Sequence, residues 1–347
     1  MAQVEIFSTD TDDGTISVIG KAGKGEHTLL RTIRVGNAPR GAVKFTSSGR
    51  GFVSNTSQNT VSELDPVALE EVRRIEVGHG PRGLGIVPGN KYLLVSNSGS
   101  DTLSIVDLEL NVEVRQIPTG RDPRHMAVTP DGLSAFVCIW GDGVVAKFDL
   151  SGLKEDRPEM VAITDIFDVG RTAHPYSASI EPSSKRLFVA NTQAKHLSVI
   201  DIATGAVQSV ELGHIGGRAV AFTSDARYAL VSVETVSEIA VIDLATLLQT
   251  RRIPVGPGPR GLTVDPDDDT LYITNFDRNS PGFGGGPDYG PNTLTLVDLN
   301  SAPLDEPVGS FDYQPVEVGY GPCSVALLDV SGLKAGQAAA AAGAAGR

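Results

Sequence analysis

The sequence predicts an all-β fold. We expect a single seven-bladed β-propeller over residues 1–330, with four antiparallel strands per blade, and an Ala/Gly-rich disordered tail over residues 331–347. Three observations lead to this prediction. A loop motif recurs seven times, each copy is accompanied by short strand signals, and the two ends of the chain carry complementary parts of one unit.

The recurring motif consists of a glycine, a short polar loop and, in most copies, a Pro-Arg pair that opens an alternating apolar run. The position after the proline is filled in turn by Arg40, Arg82, Arg124, Tyr176, Arg218, Arg260 and Cys323. Four of the six intervals between these positions are 42 residues long, and the other two, of 52 and 63 residues, contain insertions. A period near ~40 residues is typical of repeats that bury apolar faces against their neighbours.

The second unit illustrates the four strands. Short β-branched runs at residues 84–87, 92–96, 102–107 and 112–117 are separated by turns rich in Gly, Asn, Asp and Pro. We label these strands A to D. No amphipathic helical pattern intervenes, which argues against alternating strands and helices. Four short strands per unit are typical of a propeller blade.

The ends of the chain indicate how the ring closes. The seventh motif copy, at Cys323, is followed by one strand signal at residues 324–329, while the N-terminus contains three, at residues 5–8, 15–19 and 30–35. We therefore expect the C-terminal strand to be the innermost strand of a blade whose other three strands are N-terminal. Such a closure covers sheet edges that would otherwise be open to pairing.

Four of the B–C hairpins share a sequence pattern. They read Phe52-Val53-Ser54-Asn55, Leu94-Val95-Ser96-Asn97, Phe188-Val189-Ala190-Asn191 and Tyr272-Ile273-Thr274-Asn275, and the strand after each ends in Asp65, Asp107, Asp201 and Asp298 respectively. These hairpins resemble the YVTN repeat, and the resemblance covers residues 4 to about 330. It implies a seven-bladed propeller of a group that includes surface proteins, cofactor-associated proteins and lactonase-like enzymes.

Two units depart from the YVTN pattern. Cys138-Ile139-Trp140 and Ser232-Val233-Glu234 stand where the other hairpins end in Ser-Asn or a close relative. The WD40 class is disfavoured, because the chain has a single tryptophan, Trp140, and no recurring Trp-Asp.

Composition and charge narrow the function. The chain carries 42 acidic and 29 basic residues, a net charge of −13, so a general affinity for nucleic acid or for anionic membranes is not expected. No run approaches the roughly 20 apolar residues of a membrane span. The N-terminus lacks the basic and apolar regions of a secretory signal, and two cysteines cannot form a disulfide framework, so we expect a cytoplasmic protein.

The arginines of the motif are the first candidate site. In a propeller the D–A loops and B–C turns share one face, so these residues are expected to ring the mouth of the central channel. Arg40, Arg82, Arg124, Arg218, Arg260 and Cys323 would then bind a small anionic metabolite, because guanidinium groups pair well with carboxylate and phosphate. The alternative is structural pairing with nearby turn acids, namely Asp101, Asp142, Glu234 and Asp277.

The same face offers candidates for acid–base chemistry. His125, His174, Tyr176 and Glu234 could each remove a proton, with an arginine stabilising the resulting oxyanion. Cys323 could act as a nucleophile if arginines lower its pKa, although a small seam-filling residue is the plainer interpretation. The long B–C loop over residues 276–292 is either a lid over the mouth or a passive insertion.

A metal site is a second alternative. Four of the six histidines, His79, His125, His174 and His214, lie in D–A segments of consecutive units. They stand at different offsets from the arginine position and lack a local ligand spacing, so no cofactor is predicted, and a divalent metal remains an alternative.

These features suggest binding of a small anionic metabolite at the channel mouth, with lactonase-like hydrolysis or lyase-type proton abstraction if the protein is an enzyme. The alternative is a non-catalytic propeller that acts as an interaction or assembly platform, with a protein partner on either face. A catalytic site requires a base within hydrogen-bond reach of an arginine in a recessed pocket.

Overall fold

A computed structural model describes residues 3–21, 26–276, 292–306 and 309–335 of the chain. Within these ranges, 28 strands form seven four-stranded antiparallel sheets. The innermost strands of successive sheets contact each other in a closed cycle, so the sheets are the blades of a ring around a central channel. The prediction of a seven-bladed propeller is confirmed.

We number the blades I to VII from the N-terminus. Blade I contains β1 (Val4–Asp10), β2 (Thr15–Lys21), β3 (His27–Arg34) and β28 (Pro322–Asp329). Blade II contains β4 (Pro39–Phe45), β5 (Gly51–Asn55), β6 (Thr60–Asp65) and β7 (Glu70–Glu76). Blade III contains β8 (Pro81–Ile86), β9 (Tyr92–Asn97), β10 (Thr102–Asp107) and β11 (Val112–Pro118). Blade IV contains β12 (Pro123–Val128), β13 (Ser134–Ile139), β14 (Val144–Asp149) and β15 (Ala162–Asp168).

The remaining blades follow the same order. Blade V contains β16 (Pro175–Ile180), β17 (Arg186–Asn191), β18 (His196–Asp201) and β19 (Val207–Glu211). Blade VI contains β20 (Gly217–Phe222), β21 (Tyr228–Val233), β22 (Glu238–Asp243) and β23 (Gln249–Pro254). Blade VII contains β24 (Pro259–Val264), β25 (Thr270–Phe276), β26 (Asn292–Asp298) and β27 (Asp312–Glu317). Short 3-10 helices occur at Ser151–Glu155, Pro158–Met160 and Glu234–Val236.

The ring closes at blade I as the sequence predicts. The C-terminal strand β28 pairs antiparallel with β1, with Val4 opposite Asp329 and Phe7 opposite Ala326. Residues 331–335 then form one helical turn, from which Lys334 Nζ reaches the buried carboxylate of Glu5 at 2.7 Å. None of the helices in the described ranges is long and apolar enough to cross a lipid bilayer.

Each interface between blades is an apolar core. Between blades III and IV, for example, Leu94 and Ile105 belong to one buried cluster with Met126, Ala146 and Phe148. Burying a side chain of this size contributes roughly 1.5–3 kcal/mol. The outermost strands alternate between partly buried and exposed residues, as expected for sheets with one solvent-facing edge.

The asparagine of the YVTN-type hairpin has a structural role. In blade II, Asn55 Nδ2 donates to the hydroxyl groups of Thr60, at 3.0 Å, and Ser62, at 2.7 Å. Blade I carries Asp10 at this position, and its carboxylate accepts from Thr15 and Ser17 at 3.2 and 2.7 Å. Burial raises the pKa of Asp10 to about 7, although the hydroxyl groups oppose this shift. The hairpin end is therefore tied to the next strand.

Candidate functional site

The seven motif positions lie at one end of the channel, each as the second residue of an innermost strand. Hydroxyl groups pin the backbone at these positions from blade to blade. Ser54 Oγ bonds to the carbonyl oxygens of Arg40, at 2.6 Å, and Arg82, at 2.7 Å. Ser177 and Ser232 donate to the equivalent carbonyls of Arg218 and Arg260, each at 2.6 Å. The ring of side chains thus stands on a rigid backbone frame.

One side of this ring is electrostatically compensated. Glu234, which follows β21, accepts a hydrogen bond from Arg218 Nε at 2.5 Å and from Arg260 Nε at 2.7 Å. The Arg260 guanidinium also lies over the ring of Phe276, with 3.6 Å between its carbon and the ring centroid. One carboxylate therefore holds two guanidinium groups in place, and we call Arg218, Arg260 and Glu234 the paired side of the ring.

Arg124 occupies an intermediate position. It forms an ion pair with Asp122 at 2.5 Å, and its guanidinium lies over Trp140 at 4.9 Å from the ring centroid. Two of the other turn acids are used elsewhere: Asp101 accepts from the backbone N–H of Asp122 at 2.8 Å, and Asp142 pairs with Arg121 at 2.7 Å. Asp277 and the body of the predicted lid over residues 276–292 lie outside the described residues.

Arg40 and Arg82 form what we call the open side of the ring. Neither makes an ion pair with any of the residues that the structure describes. Arg40 Nε, Arg82 Nε and Arg82 Nη1 are buried and have no hydrogen-bond partner in the same ranges. Burial, together with the charges of Arg124 and Arg40, lowers the pKa of Arg82 to about 10. A guanidinium remains charged at neutral pH under such a shift, so the open side presents uncompensated positive charge.

His125 and Tyr176 lie at the channel side of the ring. Their ring centroids are 4.9 Å apart, and the Arg218 guanidinium lies 4.8 Å from the centre of the Tyr176 ring. Burial lowers the pKa of His125 to about 3, and the charges of Arg82, Arg124, Lys44 and Arg40 add to this shift. His125 is thus a neutral imidazole at physiological pH, with one ring nitrogen able to accept a hydrogen bond.

The channel contains a cavity of about 570 Å³. His125, Tyr176, Arg218, Arg260 and Cys323 line its end near the ring, and Asp265, Asp267 and Asp329 line its far end. The wall between consists mainly of small or aliphatic residues, with one exception, Lys44. A cavity of this volume is within the usual range for small-molecule sites.

Cys323 completes the ring between Arg260 and Arg40. It is buried, with 4% of its surface exposed. Burial opposes ionisation, but Arg260 and Arg40, with hydrogen bonds from Arg260 and Thr11, leave the pKa of Cys323 below its ordinary value. Cys138, by contrast, lies in the blade core, where burial raises the pKa of its thiol.

The four motif histidines lie in different environments. His79 and His214 are exposed, and His174 stacks on Trp140 with 4.0 Å between ring centroids and bonds to its carbonyl oxygen through Nδ1 at 2.9 Å. Only His125 lines the channel cavity. In the described part of the chain, no group of three or more His, Cys, Asp or Glu side chains is arranged to hold a metal ion.

Sequence reasoning did not assign Lys44, Trp140 and Phe276 to the site. Lys44 is the one lysine in the seven innermost strands, all of which the structure describes, and that was a usable signal. Trp140 and Phe276 occupy the same hairpin position as Glu234, at the end of the second strand of a blade. A large side chain where other blades carry Thr or Ser was the signal there.

The comparisons with known proteins agree with this architecture. A family model for YNCE-like beta-propellers matches residues 29–114. No curated protein matches the sequence. With the fold, the family match confirms the prediction of a YVTN-type propeller.

Solved structures resemble the whole ring. The periplasmic gluconolactonase of Pseudomonas aeruginosa has a TM-score of 0.75 at 16% identity, over 94% of this chain and 99% of that one. A Bacteroides fragilis protein proposed to be a 6-phosphogluconolactonase has a TM-score of 0.78 at 13% identity, over 94% and 98%. Hydrazine synthase of Kuenenia stuttgartiensis has a TM-score of 0.67 at 19% identity, over 90% and 99%. At these identities the likeness concerns the fold.

Proposed function

We propose that the protein binds a small anionic metabolite at the open side of the arginine ring and hydrolyses a lactone there. The observation that carries the proposal is the pair of guanidinium groups, Arg40 and Arg82, whose buried nitrogens lack a partner in the described ranges. A buried polar group without a partner costs free energy, and a bound carboxylate or phosphate would remove that cost. The gluconolactonase-like neighbours share the fold and are consistent with this chemistry.

His125 is the best placed of the four acid–base candidates. Glu234 is held by two arginines, and His174 is turned against Trp140. In the proposed reaction, His125 takes a proton from water, the water oxygen attacks the lactone carbonyl carbon, and an arginine stabilises the oxyanion. The ring C–O bond then breaks, and the proton passes to the alkoxide to give a hydroxy acid.

The low pKa of His125 is compatible with this role once an anion is bound. Arg82, Arg124 and Arg40 contribute to the shift, after burial. A negative charge at these arginines cancels part of their field and raises the basicity of the imidazole. Substrate binding would therefore activate its own general base.

The test uses two anions and one lactone. Binding of gluconate and 6-phosphogluconate is measured by calorimetry, and hydrolysis of 6-phosphoglucono-δ-lactone, which carries the required negative charge, by proton release. Arg82→Ala should weaken anion binding about 10- to 100-fold, because a charged hydrogen bond is worth roughly 1.5–3 kcal/mol. Arg121→Ala is the control, since Arg121 lies on the same face but is exposed and paired with Asp142. Equal effects of the two substitutions, or none from Arg82→Ala, would contradict the proposal.

A further inference from the structure

Lys44 occupies a level of the channel where the other blades carry small side chains. In β4, Lys44 pairs with Phe52, as Gly85 in β8 pairs with Leu94 and Ala127 in β12 pairs with Phe136. The equivalent residues in the remaining blades are Ser179, Ala221, Thr263 and Ala326. Lys44 is therefore the one long side chain at this level, and it lines the cavity.

An extra residue in β4 places the lysine there. Pro39 lies opposite Asn55 and Lys44 opposite Phe52, whereas in β8 one residue fewer separates the equivalent positions, Pro81 and Gly85. Without the extra residue Val43, now buried in the blade core, would face the channel. Gly41 permits the bulge, because its φ is +71° and a Cβ would approach the Arg82 carbonyl oxygen to 2.9 Å.

The Lys44 ammonium lacks compensation. Among the described residues it has no hydrogen bond or ion pair. Its charge lowers the pKa of His125, as do the charges of Arg82, Arg124 and Arg40. Burial lowers the pKa of Lys44. A half-buried ammonium without a counter-charge among the described residues is costly, and a ligand that supplies the counter-charge removes this cost. The acids at the far end, Asp265 and Asp329, lie beyond it, and Asp265 is already paired with Lys21 at 2.7 Å.

We propose that the ligand carries two separate acidic groups, one held at the arginine ring, at the end of the cavity that His125 and Tyr176 line, and the other by Lys44. This inference rests on the proposed function and names its substrate class: a lactone that bears a free acid, hydrolysed to a linear dicarboxylate. Arg40 lies opposite Ser54 and Lys44 opposite Phe52, two residues apart on β5, so with a rise of ~3.3 Å per residue Lys44 lies roughly 7 Å below Arg40 along the channel. The acidic far end disfavours longer ligands, so an intermediate chain length should bind best.

The experiment compares matched acids by calorimetry. Succinate, glutarate and adipate are the two-acid probes, and butyrate, pentanoate and hexanoate are the one-acid probes of the same lengths. In the wild type, the best dicarboxylate should bind at least tenfold more tightly than its monocarboxylate. Lys44→Met should remove that difference while changing monocarboxylate affinity less than twofold. Lys185→Met, at an exposed position outside the channel, is the control.

The outcomes separate this inference from the proposed function. If dicarboxylates and monocarboxylates bind the wild type equally, or if Lys44→Met keeps the difference, the two-acid ligand is refuted while the anion site stands. If neither series binds, or if Arg82→Ala leaves both unchanged, the proposed function itself fails. Lys44→Met removes a half-buried charge that has no ion pair among the described residues, so its melting temperature should equal or exceed that of the wild type, which confirms folding.

Discussion

The two sides of the arginine ring carry the same residue type on the same scaffold, yet their charges are used differently. On the paired side, Glu234 forms an ion pair with both Arg218 and Arg260. On the open side, Arg40 and Arg82 have no such partner among the described residues. The difference arises at one hairpin position, at the end of the second strand of each blade.

In blades II and III this hairpin position is a small hydroxyl residue that serves the backbone. Thr56 Oγ1 donates to the Pro81 carbonyl at 2.8 Å, and Ser98 Oγ donates to the Pro123 carbonyl at 2.7 Å. In blades IV, VI and VII the position holds Trp140, Glu234 and Phe276, each of which contacts a ring arginine. Five of the seven blades thus carry the arginine, and the hairpin residue decides whether it is available to a ligand.

The largest expected effect is the change of stability with pH that arises from His125, whose pKa is lowered partly by the positive charges of the open side. Its pKa is about 3 in the folded protein, because of burial and the neighbouring cations, against about 6.5 when unfolded. Between these values the unfolded chain binds more protons, so stability is present in full above pH ~6.5 and is lost as pH falls. Relative to His125→Gln, the wild type should lose about 2 kcal/mol between pH 7 and pH 5, measured by urea denaturation.

The wild type is compared with His125→Gln because the titration of Asp10 changes stability with pH in the opposite direction. Its pKa of about 7, raised by burial, makes stability fall as pH rises from about 4 to 7. Asp10 is unchanged in His125→Gln, so its contribution cancels in the difference between the two proteins. A difference that stays constant with pH would mean that burial and the neighbouring cations do not suppress protonation of His125.

The next effect converts the paired side into a second open side. Glu234→Gln removes the carboxylate shared by Arg218 and Arg260 and leaves two uncompensated guanidinium groups. Gluconate affinity should rise up to about tenfold, at a cost of roughly 1–3 kcal/mol in the free energy of unfolding. Calorimetry and thermal unfolding measure the two changes.

Glu238→Gln is the matched control for that substitution. Glu238 lies in the same blade and pairs with Arg252 at 2.8 Å, with comparable exposure, but away from the ring. It should lower stability slightly and leave gluconate affinity unchanged. If Glu234→Gln also left affinity unchanged, the carboxylate would not be what keeps Arg218 and Arg260 from binding anions.

The fold could be predicted from the sequence, but the ion-pair partners of the ring arginines could not. The period of 42 residues and the split first blade follow from hydrophobic alternation and turn residues, and both are local signals. Whether Glu234 reaches one arginine or two depends on the spacing of blades VI and VII. That spacing is a tertiary property, which sequence periodicity does not encode.

The channel side chain Lys44 shows a further limit. Simple alternation along β4 cannot tell that Val43 is buried and Lys44 faces the channel, because the extra residue reverses the alternation. The four motif histidines show that residues at similar places in the repeat need not have similar surroundings. They share a loop type in the sequence, but different offsets from the ring position give them different surroundings, and only His125 lines the cavity.

The smallest effect concerns Tyr176, which lies between the two sides of the ring. Its ring contacts His125, and the Arg218 and Arg124 guanidinium groups lie 4.8 and 6.0 Å from its centroid. Tyr176→Phe keeps the aromatic face, so gluconate affinity and lactone hydrolysis should each change less than about threefold. Tyr176→Leu removes the cation–π contacts, worth roughly 0.5–1 kcal/mol, and should weaken binding about two- to fivefold.

The same pair of variants separates a positioning role for Tyr176 from a catalytic one. A tyrosine that transfers a proton in the reaction contributes typically ~10²–10⁴-fold to the rate, and Phe cannot replace it. A loss of that size in Tyr176→Phe, with unchanged gluconate affinity, would assign the proton transfer to the phenol rather than to His125. Tyr92→Phe, which removes a hydroxyl that bonds to Asp156 outside the ring, controls for the general loss of a phenol group.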